Sequence, residues 1–279
     1  MARVSDTLRV PPGALDLRGI DARSTPGFKG GKGKAQAAMA AHAERLSTLQ
    51  EQLYAEGRLG GTRSVLLVLQ GMDTSGKGGT VRHVVGLLDP AGVHAAAFGP
   101  PTPEERRHDF LWRIRKRVPR PGQVGVFDRS HYEDVVTVRV LGLAERRTWM
   151  RRYDAINRFE AELAAGGTRI VKCFLHISPG EQRKRLLARL DDPTKHWKFD
   201  PADLDARERW DEYLDAYEDA LERCTSEVAP WHVVPADRKW YRNWAVTALL
   251  IEHLEELALR WPEPDLDIEA QRRRLLAMP

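Results

Sequence analysis

Val65 to Gly79 reads VLLVLQGMDTSGKGG, an apolar run followed by a glycine-rich turn. The aliphatic residues Val65 to Leu69 favour a buried strand. The stretch Gly71 to Lys77 then fits the pattern G-x-x-x-x-G-K. A buried strand that enters a glycine-rich turn and then a helix is the setting of a phosphate-binding loop, where main-chain N–H groups surround phosphate oxygens. The stretch therefore predicts phosphate binding; the alternative is a strand–helix turn that binds nothing.

The loop departs from the usual pattern directly after its lysine. Gly78 stands where Ser or Thr normally binds Mg²⁺, and Thr80 comes two positions too late for a simple replacement. Asp73 places a carboxylate inside the loop, where phosphate is expected. We expect Asp73 to help hold Mg²⁺ or to orient a phosphoryl acceptor.

Composition indicates a folded protein with an anionic ligand. The chain has 279 residues, of which 42% are hydrophobic and 30% charged, so it can form a sizeable core. Its net charge of +4 fits a polyanion but does not distinguish nucleic acid, nucleotide and inorganic polyanion. Cys173 and Cys224 form no disulfide framework and no C-x-x-C motif. The sequence has no membrane-spanning apolar stretch and no apolar signal core, so we expect a cytoplasmic protein.

Strand and helix patterns alternate along most of the chain. Strands are predicted at 64–70, 93–98, 123–127, 169–177 and 231–234. Helices are predicted at about 35–57, 78–88, 102–117, 132–141, 145–165, 203–224 and 239–260, and after Ser178. This alternation predicts an α/β fold of three layers, with a parallel sheet between helices, as in P-loop kinases. We expect an irregular basic extension over 1–34, the catalytic domain over 35–261 and a tail over 262–279.

Charged residues follow the strand predicted at 123–127. Ligands of an open parallel sheet bind at the carboxyl ends of its strands, so Asp128 and Arg129 are expected beside the loop. Because P-loop enzymes keep a second Mg²⁺-associated carboxylate at such a strand end, Asp73 and Asp128 are predicted to share metal. Arg129 offers a bidentate donor to phosphoryl oxygens. The alternatives are a helix cap for Asp128 and structural roles for His131 and Glu133.

A basic helix and a basic loop follow the strand predicted at 169–177. Their cations are Arg183, Arg185, Arg189, Lys195 and Lys198. This position after a core strand predicts a lid over about 178–200 that closes on phosphates and excludes water. The alternative is a helix whose cations are simply solvated.

Three lysines near the N-terminus alternate with glycines: Lys29, Lys32 and Lys34. They form either a solvated linker or a flexible clamp on a polyanion. Composition alone favours the linker.

Four motifs point to one family when they are taken together. They are Gly27-Phe28-Lys29-Gly30, Gly71 to Thr80, Phe127 to Asp134, and Glu181-Gln182 with Arg185-Leu186 running on to Asp192-Pro193, Lys195 and Trp197-Lys198. Together they resemble the second polyphosphate kinase family, the P-loop polyphosphate:nucleotide phosphotransferases, over roughly residues 20–260. The segment Ser130 to Asp134 is similar to the class III subgroup, which is associated with phosphorylating both AMP and ADP. Other subgroups tend to have Trp at position 131 and Asn at position 133, and an acidic residue at 133 would hold a metal or water near the shorter nucleotide.

The resemblance implies a role for each matching residue. Glycine at position 78 is usual in that family, and Asp73 and Asp128 are the implied ligands of Mg²⁺, with Mn²⁺ as the alternative metal. The implied catalytic residues are Asp73, Lys77, Asp128, Arg129, Arg185 and Arg189. The implied nucleotide- and phosphate-binding residues are Gly71, Thr74, Ser75, Gly76, Gly78, Gly79, Thr80, Arg82, His131, Tyr132 and Glu133. The implied polyphosphate-binding residues are Lys29, Lys32, Lys34, Arg183, Lys195 and Lys198.

The implied reaction is a reversible transfer of the terminal phosphoryl group of inorganic polyphosphate to AMP or ADP. The implied partners are polyphosphate and adenine nucleotides, with guanine nucleotides as a second option, and no nucleic acid or membrane. A homo-oligomer, either dimer or tetramer, is also implied. An ATP-dependent nucleotide or nucleoside kinase of similar fold shares the loop, the Asp-Arg pair and the basic lid. A second alternative is a nucleic-acid-binding P-loop protein, and the pI of about 9.1 is compatible with it. Against this alternative, the cations lie beside the loop and not in a separate basic domain.

Overall fold

A parallel sheet forms the middle layer of the computed structural model, which describes residues 3–11, 13–263 and 265–279. Its strands are β1 Ser64–Gln70, β2 Val93–Ala97, β3 Val124–Asp128, β4 Thr168–His176 and β5 Trp231–Pro235. They lie in the order β2-β3-β1-β4-β5, and every neighbouring pair is parallel. The predicted α/β fold is confirmed. Met1, Ala2 and Pro12 of the predicted extension and Pro264 of the predicted tail lie outside the described residues.

Helices cover both faces of the sheet. They are α1 Val4–Leu8, α2 Lys32–Arg58, α3 Lys77–His83, α4 Trp112–Arg115, α5 Thr137–Val140, α6 Arg146–Ala165, α7 Pro179–Leu190, α8 Ala202–Glu208, α9 Trp210–Arg223, α10 Lys239–Glu255 and α11 Ile268–Leu276. The long helices predicted at 35–57, 145–165 and 239–260 are confirmed as α2, α6 and α10. The helix predicted at 203–224 is interrupted at Arg209 and forms α8 and α9. In the described ranges, no helix has both the length and the apolarity to cross a membrane.

The continuous helix predicted at 102–117 is wrong. Its capping box does form, because Thr102 N donates to Glu105 Oε2 at 2.8 Å and Glu105 N donates to Thr102 Oγ1 at 3.2 Å. Only a 3₁₀ turn at Glu105–Arg107 follows before α4 begins. None of the side chains from 102 to 109 is buried, so no apolar face supports a helix there, and burial resumes only at Leu111, just before α4. The helices predicted at 78–88 and 132–141 are also shorter, and each contains a 3₁₀ turn.

The sheet has an apolar core on each face. Along β1, Leu66 and Val68 face one core, whereas Val65, Leu67 and Leu69 face the other. The first core is closed by α6 and α9, and the second by α2 and α10. Because both faces are buried, β1 is apolar at successive positions and does not alternate with polar residues. This burial fixes the strand that leads into the glycine-rich loop.

The N-terminal extension is packed against the domain and is not irregular throughout. Its helix α1 is capped by a distant carboxylate, since Val4 N and Ser5 N each donate to Glu252 at 2.8 Å. Leu17 N donates to Glu218 of α9 at 2.8 Å, and the Leu17 side chain is fully buried. The boundary at residue 34 remains a prediction, although the extension shares the core of the domain that follows it.

A buried ion pair joins α6 to β4. Lys172 Nζ lies 2.5 Å from Glu160 Oε2, and both side chains are at most 2% exposed. Lys172 also donates to the Tyr132 hydroxyl and to the Cys224 carbonyl, so the ammonium is fully hydrogen-bonded. Burial alone would raise the pKa of Glu160, but Lys172 and His131 hold it below its usual range. The pair therefore stays charged inside the core.

We predict that Glu160→Gln lowers the free energy of unfolding by about 3–5 kcal/mol, because it leaves the Lys172 charge buried without its counterion. Glu162→Gln, two residues along the same helix, is the matched control. It breaks the exposed Arg115–Glu162 pair and should cost less than about 1 kcal/mol. Urea denaturation of both variants measures the difference. Equal losses would contradict the assignment of a charged pair to the core.

Candidate active site

The glycine-rich loop has a backbone that few residues other than glycine adopt. It begins directly after β1 and ends at Gly76, the N-cap of α3. Gly71 and Gly76 have φ angles of 145° and 113°, and Thr74 has a φ of 63°. A Cβ on Gly71 would lie 2.6 Å from the Leu175 carbonyl oxygen of β4. The two glycines of the motif are therefore required by conformation and by close packing.

Polar groups of the loop lack partners. The hydroxyls of Thr74, Ser75 and Thr80 are buried, and among the residues that the structure describes none has a hydrogen-bond partner. Lys77 Nζ donates to the loop's own carbonyls, at 2.7 Å to Gly71 and 3.3 Å to Met72. Buried polar groups are normally hydrogen-bonded, so these hydroxyls, two in the loop and one in the first turn of α3, fit a ligand with several acceptor oxygens. Phosphate is such a ligand.

Asp73 and Arg129 form an ion pair across the loop. Arg129 Nη2 donates to Asp73 Oδ1 at 2.8 Å. Burial alone would raise the pKa of Asp73, but Lys77 and Arg129 lower it below its ordinary value. Arg129 has a φ of 62°, and its N–H donates to the Leu69 carbonyl at 3.1 Å. The strained backbone directs this arginine from the end of β3 towards the loop, as the strand-end rule predicts.

Asp128 lies at the carboxyl end of β3, paired in register with Leu69 of β1. Within the described part of the chain, its carboxylate has neither an ion pair nor a hydrogen bond. The same residues contain no group of three or more His, Cys, Asp or Glu side chains placed to hold a metal. Mg²⁺ is commonly bound by one or two carboxylates together with substrate phosphates. Asp73 and Asp128 would supply two such carboxylates.

Arg185 of α7 does not extend towards a ligand as predicted. Its Nη1 donates to the carbonyls of Thr74 and Ser75 at 2.9 and 3.0 Å. Its Nη2 donates to the carbonyls of Ala236 and Asp237 at 2.7 and 3.0 Å. Because these N–H groups already donate to main-chain carbonyls, Arg185 supports the loop and has no donor left for a ligand. This geometry does not support the predicted direct catalytic contact.

Arg189, one turn further along α7, lies closer to the reacting side of the loop. Its charge helps to lower the pKa of Asp73, and its Nη1 lies 2.9 Å from Asp203 Oδ2. Burial and the Asp73 charge raise the pKa of Asp203 to about 6, so this ion pair weakens as the pH falls below that value. Arg189 therefore keeps its predicted place near the site.

The other predicted cations are exposed. Lys195 pairs with Asp192 at 2.6 Å, and the Lys198 ammonium lies over the Trp197 ring. Arg183 and Arg82 lie on the outer surfaces of α7 and α3. Lys29, Lys32 and Lys34 are exposed at the start of α2. The structure brings none of these residues into hydrogen-bond contact with the described residues of the loop.

The structure places His131 and Tyr132 in the core, and nucleotide binding by either residue stays a prediction. His131 Nε2 lies 3.3 Å from Glu160 Oε1, and the Tyr132 hydroxyl donates to the same oxygen at 2.7 Å. Both side chains are about 1% exposed. The 3₁₀ turn after β3 directs them into the core, whereas Glu133 faces the site and helps to raise the pKa of Arg129.

Two residues beside the loop were not predicted. Gln182 Nε2 donates to the Asp73 carbonyl at 3.2 Å, and Arg242 of α10 packs against Gly76. Gln182 shares one helical face with Arg185 and Arg189, a spacing that the sequence does display. Arg242 lies in the first turns of α10, among aromatic and apolar residues, and no motif of the sequence includes it.

We predict that Gly76→Ala destabilises the protein and abolishes phosphoryl transfer. A Cβ there would overlap Nη1 of Arg242, and the positive φ costs an L-residue about 1–2 kcal/mol. Gly78→Ala is the matched control, because nothing lies within 4 Å of its Cβ and Ala favours a helix. Urea denaturation should show a loss above about 1 kcal/mol for the first variant and none for the second. Equal stability of the two variants would refute this packing.

Comparisons with known proteins identify the family of this chain. The sequence matches the family model described as Polyphosphate kinase 2 (PPK2) over residues 30–260. A relative from Meiothermus ruber, named AMP/ADP-polyphosphate phosphotransferase, is 49% identical over 255 residues, covering 91% of this chain and 94% of that protein. A relative from Rhodopseudomonas palustris, named ADP-polyphosphate phosphotransferase, is 44% identical over 247 residues, covering 84% of this chain and 83% of that protein. The crystal structure of Polyphosphate Kinase 2 from Arthrobacter aurescens TC1 matches with a TM-score of 0.97 and 53% identity, over 99% of this chain and 98% of that one. This chain therefore belongs to the polyphosphate kinase 2 family.

Proposed function

We propose that this protein transfers the terminal phosphoryl group of inorganic polyphosphate to AMP and ADP, giving ADP and ATP. The observation that carries the proposal is the loop itself, with Lys77 and three buried, unpartnered hydroxyls beside the Asp73–Arg129 pair. The names of two similar proteins, which specify polyphosphate with AMP or ADP, support the choice of substrates.

The reaction requires the protein to position the two substrates and to supply positive charge, and it requires no proton transfer. An oxygen of the acceptor's terminal phosphate attacks the terminal phosphorus of polyphosphate, and the P–O bond to the next phosphate breaks. The polymer leaves one unit shorter with the negative charge on its new terminal oxygen. The acceptor oxygen is already anionic near neutral pH, so no strong base is needed. Because one phosphoanhydride replaces another, the reaction is reversible.

Lys77 and Arg129 are the proposed ligands of the transferred group. Both lie at the loop, and repulsion between two polyanions is the main barrier that their charges offset. Arg189 adds a third positive charge from α7, a segment that we propose closes over the phosphates. Arg185 contributes by holding the loop carbonyls and does not contact substrate.

Mg²⁺ is the proposed metal, with Mn²⁺ as the alternative. Asp128 and Asp73 would hold it, because the first carboxylate has no partner in the described residues and the second stays ionised beside Lys77. When bound, such an ion neutralises charge on phosphate oxygens.

Glu133 is the proposed determinant of AMP use. Its Oε2 accepts from Thr137 Oγ1 at 2.6 Å, and its charge acts on Arg129 and on the Tyr217 hydroxyl. It therefore borders the same space as the Asp73–Arg129 pair, where a shorter nucleotide would leave room for a metal or water. The proposal also includes a cytoplasmic homo-oligomer and leaves guanine nucleotides as additional acceptors to assay.

We predict that the purified protein forms ADP from AMP, and ATP from ADP, with polyphosphate and Mg²⁺ and without added ATP. Arg129→Ala should lower kcat by about 10²–10³-fold, the usual effect of removing one transition-state donor. Arg147→Ala, an exposed arginine of α6, is the control and should keep full activity. Chromatographic quantification of the nucleotides measures both. If the wild type forms no product from polyphosphate but uses ATP as donor, the protein is an ATP-dependent kinase.

We also predict that Glu133→Asn lowers kcat/KM for AMP about tenfold more than kcat/KM for ADP, a difference of about 1.4 kcal/mol. Glu104→Asn, at an exposed position, is the control. Steady-state kinetics with each acceptor at saturating polyphosphate gives the ratio. An unchanged ratio would remove Glu133 from acceptor selection.

A further inference from the structure

Arg242 is a buried cation that touches the phosphate-binding loop. It extends from the first turns of α10 and is 3% exposed. Its Nη2 lies 2.9 Å from the position of a Cβ on Gly79, and its Nη1 would overlap a Cβ on Gly76. The guanidinium therefore fills the space that these two glycines leave open, along one face of the first turn of α3.

No carboxylate balances this charge. Arg242 donates only to the Asn243 side-chain oxygen, from Nε at 3.1 Å and from Nη2 at 2.7 Å. In the described ranges it has no ion pair, and Nη1 makes no hydrogen bond. The equally buried Arg113 lies within 4.0 Å of Glu105 and Asp134. An unpaired buried charge is costly, so the position fits an anion supplied by a ligand.

The surroundings of Arg242 are also positive. Partial desolvation lowers the pKa of the largely exposed Lys239, and the charges of Arg185, Arg242 and Lys195 lower it further. Burial and the Arg185 charge lower the pKa of Arg242 itself to about 10. The carboxylate that opposes them, Glu181, is already paired with Arg185 at 2.9 Å. This side of the loop is a cluster of cations without a free counterion.

The N-terminal lysines begin beside the same helix. The Phe28 ring packs against Trp240 and Trp244 of α10, with ring centroids 5.7 and 4.7 Å away. The Tyr241 hydroxyl donates to the Pro26 carbonyl at 2.7 Å. These contacts fix the chain immediately before Lys29 on the helix that carries Lys239 and Arg242.

The strand order separates this cationic side from a side of mixed charge. β1 is central, and the end of β3 on one side supplies Asp128 and Arg129. On the other side, β4 leads into α7 and β5 leads into α10. The β3 side holds carboxylates suited to a metal and a nucleotide. The α10 side carries three cations: Arg185, Lys239 and Arg242. Its carboxylates are already hydrogen-bonded, Glu181 to Arg185 and Asp237 to Ser178. This excess of positive charge suits a polymer with a negative charge on every phosphate.

We propose that Arg242 and Lys239 bind the donor polymer next to its reacting end, so that polyphosphate runs along the first turns of α10 towards Lys29 while the nucleotide occupies the β3 side. This assignment rests on the proposed function. It names two polyphosphate-binding residues outside every motif of the sequence and gives the donor and the acceptor opposite sides of the loop.

Lys239→Ala and Arg242→Gln test the assignment, with Arg242→Lys as the charge-preserving variant. Losing a hydrogen bond to a charged group should raise the Kd and KM for polyphosphate about tenfold in the first two variants and leave the KM for ADP within about twofold. Arg242→Lys should recover most of the affinity. Lys184→Ala is the matched control, an exposed lysine of α7 away from α10, and should change neither constant.

Calorimetric titration with polyphosphate of defined length, without nucleotide, gives the Kd independently of turnover. If the wild type binds polyphosphate but transfers nothing to AMP or ADP, the proposed function fails while the binding assignment is still decided by the variants. Because Lys239 is largely exposed, Lys239→Ala should fold and give a Kd for polyphosphate even if Arg242→Gln does not fold. An unchanged Kd in Lys239→Ala, or a raised KM for ADP with unchanged polyphosphate binding, would overturn the assignment.

Discussion

The position of the phosphate-binding loop depends on one guanidinium behind it. Arg185 spans two segments that are far apart in sequence, the loop after β1 and the chain that leaves β5, and donates to main-chain carbonyls of both. These contacts fix the Thr74 and Ser75 carbonyls and tie the loop to the end of β5. The same arginine adds a positive charge without offering a donor to the ligand. Arg189, one turn further along α7, is near enough to Asp73 for its charge to lower the pKa of that carboxyl.

The loop chemistry could be predicted from sequence because its constraints are local. Gly71, Gly76 and Lys77 are separated by a few residues, and the motif states which backbone they need. Asp128 and Arg129 were also predictable, since a strand's carboxyl end in a parallel sheet is a defined place. The capping box at Thr102 was predicted correctly. The length of a helix, however, depends on a buried face, and no side chain over 103–109 is buried.

Side-chain direction was not predictable in the same way. His131 and Tyr132 come shortly after Asp128 and Arg129 in sequence, but the 3₁₀ turn after β3 carries them into the core, where Glu160 and Lys172 lie. The basic helix α7 posed the same difficulty, because the count of arginines does not say which of them face the loop. Arg242 was missed for a different reason. It lies outside every recognised motif, more than 160 residues from the loop it touches.

The contacts of Lys77 determine how the loop discriminates among anions. The ammonium already donates to the carbonyls of Gly71 and Met72, so an incoming oxygen must replace contacts that exist and gains only the difference. A small anion such as orthophosphate, which meets the loop alone, gains little from that exchange. A chain that engages several separated cations at once gains from each further contact at a high effective concentration. Under the proposed function, the contacts of Lys77 therefore favour a polymer that meets several cations over a single phosphate group.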